Sequence, residues 1–122
     1  MKEIPIPVDR DTLHIIYSCI IEHWRMPQYE EKISAEDFAL LEELRAKILQ
    51  LRDERDVKEI MLSERELDVI IRAYEIGLGE LVKDGDEFPT IVGHDTERGK
   101  NVLKMLKSYL GSGSLKNKKM EK

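Results

Sequence analysis

Residues 62–83 read LSERELDVIIRAYEIGLGELVK, and how this stretch begins and repeats decides the fold class. Ser63 and Glu66 have the spacing of a capping box: the serine hydroxyl accepts from the amide of residue 66, and the glutamate reaches back to the serine amide. At about 100° per residue, Leu67, Ile70, Ile71, Tyr74, Leu78 and Leu81 then fall on one side of a helix. A smaller apolar stripe, Val69, Ala73 and Ile76, lies opposite. Gly77 and Gly79 each cost a helix up to about 1 kcal/mol relative to alanine, so a kink or close packing is expected there. Lys83-Asp84-Gly85-Asp86 ends the helix in a turn.

Upstream, Ser34 opens a helix with similar grammar, Asp37 standing in for the glutamate of the box, and this helix is expected to reach Arg55. Phe38, Leu40, Leu41, Leu44, Ile48, Leu49 and Leu51 spread around much of it. That is wider than an ordinary surface stripe, so it is expected to be buried from two sides. The starts ISAEDF and LSEREL match beyond the cap only as apolar for apolar, which is shared grammar and not a repeat. An earlier helix is expected from Asp11 to Arg25, capped by Asp9 or Asp11 and ended by Pro27. Leu13, Ile16, Tyr17, Ile20, Ile21 and Trp24 share its main face, with Ile15, Cys19 and Met26 on another. Before it, KEIPIPV is an extended arm, because Pro5 and Pro7 forbid a helix, and no second strand is evident to pair it.

Downstream, Phe88 to Val92 reads as a short apolar connector behind Pro89. A last helix from Thr96 to Leu110 places Val102, Leu103, Met105, Leu106, Tyr109 and Leu110 on one face. Gly111-Ser112-Gly113-Ser114 is expected to break it, leaving LKNKKMEK as a flexible basic tail. The expected architecture is all-α: a compact bundle of about four helices over residues 1–110 with an extended N-terminal arm, followed by the tail at 111–122.

The chain of 122 residues carries a net charge of −5. Residues 1–95 hold a net −11 and residues 96–122 a net +6, so the chain is neither a uniformly basic nucleic-acid binder nor an acidic disordered tail. No apolar run approaches the ~20 residues a membrane span needs. The N-terminus has no signal-peptide pattern, so a cytoplasmic location is expected. Cys19 is the only cysteine, which excludes an internal disulfide and a multi-cysteine zinc site.

Four features invite a functional reading. The run from Gly93 to Asn101, GHDTERGKN, resembles a phosphate loop only in outline: its spacer is one residue too long and Asn101 replaces the required hydroxyl. A helix start explains it better, with Asp95 or Thr96 as cap, Glu97 at the positive end and Gly93 in the turn. Cys19 and His23 share a helix face, whereas His14 points away from both, so the three do not converge. Asp84-Gly85-Asp86-Glu87 is too short for an EF-hand loop. Lys100, Lys104 and Lys107 line the solvent face of the last helix, and Lys116, Lys118 and Lys119 carry the charge into the tail.

These features suggest a small acidic helical protein–protein interaction or regulatory protein, non-enzymatic, with no metal and no cofactor expected. The anticipated partner is a second copy, as a homodimer, or another protein. It would be met through Val69, Ala73 and Ile76, with Trp24 as an anchor. The alternative is non-specific attachment to nucleic acid through Lys100, Lys104, Lys107, Lys116, Lys118 and Lys119. An enzyme ranks third. Its mark would be convergence of His94, Asp95 and Arg98 with a histidine or cysteine of the first helix in one pocket.

Overall fold

The computed structural model describes residues 3–21, 34–54, 56–83 and 85–114, without the side chains of 83 and 111–114. The elements run β1 (Glu3–Pro7), α1 (Arg10–Ile21), α2 (Ala35–Arg52), β2 (Glu59–Ser63), α3 (Glu64–Lys83), α4 (Phe88–Val92) and α5 (Thr96–Ser114). The chain is predominantly helical, with five helices and one two-stranded sheet among the described residues.

The helix starts follow local chemistry. Ser63 N–H donates to Glu66 Oε1 at 2.8 Å and Glu66 N–H donates to Ser63 Oγ at 3.1 Å, so the capping box is closed in both directions. Asp9 caps α1 by accepting from Thr12 N–H at 2.8 Å, which holds its carboxyl below the ordinary aspartate range. Ser34 caps α2, accepting from Asp37 N–H at 3.1 Å. Asp37 does not complete a box. Its carboxylate turns to α3, accepting from Arg72 at 2.8 Å and Arg65 at 3.1 Å.

Four expectations are corrected. The N-terminal arm is not alone: β1 pairs antiparallel with β2, Ile4 opposite Leu62 and Ile6 opposite Ile60. Val8 N–H donates to Lys58 O, so by the alternation of an antiparallel ladder the even residues of β1 face β2 and the odd ones face outward. Two of those outward residues are Pro5 and Pro7, which have no N–H, so β1 offers a poor edge to another strand. On the outer side of β2, Met61 O takes the Lys47 ammonium at 2.5 Å and Ser63 N–H is held by Glu66. The second correction is the connector at 88–92, which is the short helix α4, started by Pro89 in its first turn and ended by Gly93 at φ 87°. Third, α5 continues through Gly111–Ser114, because glycine weakens a helix without forbidding it.

The fourth concerns which helix is central. In α2 only Leu41, Leu44 and Ile48 are fully buried. The central helix is α3, which packs against α1, α2, α4 and α5. Val69 and Ala73 are therefore inside the chain at 0% and 1% exposure, and Ile76 packs partly buried against the same core. The stripe expected to meet a partner is filled by the chain's own helices. Two glycines make this packing possible: a Cβ on Gly77 would lie 2.0 Å from Cys19 O in α1, and one on Gly99 would lie 2.4 Å from the Phe88 ring.

The Asp37 contacts predict an acid response. Arg72 first and Arg65 second hold the Asp37 carboxyl below the ordinary aspartate value. A carboxyl lowered by folding contributes stability above its unfolded pKa, and that contribution is lost as pH falls through the folded value. The Asp37→Asn variant is expected to be less stable than the parent at neutral pH and to converge with it below about pH 4. Urea denaturation across pH 2–7 tests this, and a constant gap would contradict it.

Candidate functional site

A group of polar side chains borders a cleft where α1, the end of α2 and the α4–α5 turn meet. Arg10, Asp11 and His14 come from the first turns of α1, at spacings that put Arg10 and His14 on one side. Arg52 and Asp53 come from the end of α2, which α1 packs against. Together these five line an open cleft of about 330 Å³. Behind it stand His94 and Arg98, brought in by the turn at Gly93 and the first turn of α5.

Hydrogen bonds fix the ring of His14. Its Nε2 lies 3.0 Å from Val92 O and its Nδ1 lies 3.4 Å from Arg52 Nη1. A carbonyl only accepts and a guanidinium only donates, so Nε2 carries the hydrogen and Nδ1 accepts. His94 Nδ1 likewise accepts from Arg98 Nη1 at 3.3 Å, and the two imidazole centroids are 6.2 Å apart. Arg98 also approaches Asp11 at 3.8 Å. Arg52 stacks its guanidinium 5.0 Å over the Tyr17 ring, and Arg10 Nε donates to Arg52 O at 3.1 Å.

Chemically this is a set of held donors. Both nitrogens of His14 are engaged, and Cys19 of α1 is fully buried near Tyr74, away from the cleft lining. Tyr74 donates to Gly99 O at 2.6 Å, and burial pushes its phenol ionisation up, so it remains a donor. No group of three or more His, Cys, Asp or Glu side chains among the described residues is placed to hold a metal ion. No helix among them is long and apolar enough to cross a membrane.

Of the residues singled out in the sequence, His14, His94 and Arg98 come together, joined by Asp11. Asp95 does not join them through its carboxylate, which caps α5 by accepting from Arg98 N–H at 2.8 Å. Gly93 and Gly99 serve a turn and a ring contact and form no phosphate loop. Lys100, Lys104 and Lys107 are all exposed, but Lys107 is paired with Glu75 of α3 at 2.5 Å. Trp24, His23, Lys116, Lys118 and Lys119 lie outside the described residues. Sequence reasoning missed Arg10, Arg52 and Tyr17 as site residues. Arg10 and Tyr17 are separated from Arg52 by more than a helix length of chain, and no local spacing signals their meeting.

No protein-family model, curated protein or solved structure matches this chain.

Proposed function

We propose that the chain is a small acidic helical interaction protein of regulatory type, non-enzymatic, which engages a partner through the polar junction of α1, α2 and α5. One observation carries this: Arg10 and Arg52 stand together at an open cleft, and neither forms an ion pair with a described carboxylate. Guanidinium groups left in this state at a concave site are suited to a partner's negative groups. The apolar surface argues in the same direction. Ile91 is the one large hydrophobic residue exposed among those described, and Val69 and Ala73 are buried, so a second copy is a weaker candidate than a different macromolecule.

Co-purification of the untagged protein from its own cells, compared with an Arg10→Glu/Arg52→Glu double variant, tests this. The expected result is a partner retained by the parent and lost by the variant, with the parent free of its partner monomeric by light scattering. A stable dimer, or a partner held equally by the variant, would overturn the reading. The second reading, nucleic acid on the basic helix, keeps one support: Lys100 and Lys104 are exposed and make no ion pair with a described residue. It requires the retained partner to be nucleic acid, released by Lys100→Glu/Lys104→Glu and showing a steep salt dependence.

A further inference from the structure

We infer that the cleft between the first turn of α1 and the end of α2 is an oxyanion site, taking a dianionic group of the phosphate class on Arg10 and Arg52. This rests on the reading of the junction as a binding site. It adds the chemistry of what binds.

Arg52 is held before any ligand arrives. Its guanidinium lies over Tyr17 and donates one N–H to His14, whose ring is in turn anchored on Val92 O. The remaining donors of the planar fork are left for another acceptor. Holding the side chain in advance removes much of the ordering cost that weakens binding by surface arginines. Arg10 contributes in two ways. Its Nε covers the Arg52 carbonyl, an oxygen at the negative end of α2 that would otherwise repel an anion. Arg10 lines the same cleft as Arg52, so arginines from two different helices serve one site. A dianion with several equivalent oxygens satisfies two forks, whereas a single carboxylate satisfies one.

The neighbouring charges set the limits. Asp9 is occupied as the cap of α1, and Asp11 leans toward Arg98 at 3.8 Å. Asp53 lines the cleft and makes no ion pair with a described residue, so it opposes the ligand. His94 is hydrogen-bonded to Arg98 behind the cleft and is no part of its lining. The lining thus holds two arginines that attract and two aspartates that repel, Asp11 being partly offset by Arg98, and removal of an arginine and of Asp53 should have opposite signs.

Titration of the full chain with inorganic phosphate at constant ionic strength, followed by amide shifts in a nitrogen-15 spectrum, tests the site. The expected result is saturable shifts confined to residues near 10–14 and 50–54. Arg52→Gln is expected to weaken binding about ten-fold or more, the loss of a charge-assisted hydrogen bond. Arg10→Gln, an exposed first-turn change that does not disturb the Tyr17 stack, is expected to weaken it by a similar factor. Asp53→Asn is expected to tighten it about three-fold, the scale of an exposed charge pair. Acetate is expected to bind about ten-fold more weakly than phosphate. N-acetylphosphoserine amide distinguishes the source: binding as tight as phosphate means a phosphoryl group carried by a partner, and weaker binding means the free anion. Shifts that do not saturate, that ignore both arginine variants, or that acetate reproduces at equal affinity would overturn the site. If phosphate fails but partner capture still requires Arg10 and Arg52, the ligand class alone falls. If phosphate binds but capture does not depend on these arginines, the proposed function falls and the site stands.

Discussion

Gly77→Ala is expected to destabilise the protein by about 3 kcal/mol or more, although alanine is the better helix former by about 1 kcal/mol. The added Cβ would stand 2.0 Å from Cys19 O and 2.8 Å from Cys19 C. Both are backbone atoms of α1, so no side-chain rotation relieves the overlap, and α1 and α3 must separate along the buried seam that joins them. For a domain of this size the midpoint of thermal unfolding should fall by about 12 °C, at about 4 °C per kcal/mol. At Gly79, two residues on, an added methyl group would meet nothing within 4 Å. Gly79→Ala is expected to stabilise by about 1 kcal/mol. The two glycines share a helix and a chemistry, so opposite signs isolate the contact with α1. Cys19→Ala should not rescue Gly77→Ala, because the clash is with the main chain. Equal effects at the two positions in urea denaturation would mean that α1 and α3 do not approach as described.

The second large effect is at Phe88, fully buried at the start of α4. Phe88→Ala is expected to cost about 3–5 kcal/mol. Gly99→Ala is expected to cost about 2 kcal/mol, because its Cβ would fall 2.4 Å from Phe88 Cζ and 2.8 Å from Cε2. Since the obstacle here is a side chain, it can be removed. Phe88→Leu in the Gly99→Ala background should cost at least about 1 kcal/mol less than the sum of the single changes. Strict additivity would refute the contact. The pair also matters to the cleft: α4 carries Val92, whose carbonyl holds His14, and α5 carries Arg98, which holds His94. Loosening this contact should release the ring that steadies Arg52.

The helix starts could be read from the chain because their determinants are local. Ser63 and Glu66 need only each other, and so do Asp9 with Thr12 and Asp95 with Arg98. The sheet could not, because Ile4 and Ile6 become a strand only when residues 60 and 62 arrive beside them. The glycines show the same division: the sequence marks Gly77 and Gly79 as costly to a helix, but the position of Cys19 makes one of them indispensable.

The opposite-face stripe of Val69, Ala73 and Ile76 has the same boundary. Its periodicity correctly assigns those residues to one side of a helix. Whether that side meets solvent, a partner or the chain itself depends on how many helices pack around α3, and here α1, α2, α4 and α5 all do. The lysine face of α5 divides likewise, with Lys107 drawn to Glu75 while Lys100 and Lys104 stay outside.

Periodicity and caps suffice for a predominantly helical chain, for where α1, α2, α3 and α5 begin and for which residues share a face, because these depend on neighbours three or four positions away. The short α4 is not legible in this way. The central place of α3, the pairing of β1 with β2, and the cleft that joins Arg10 and His14 to Arg52 all depend on groups distant in sequence. Such contacts form only when packing closes long stretches of chain, and no local spacing encodes them.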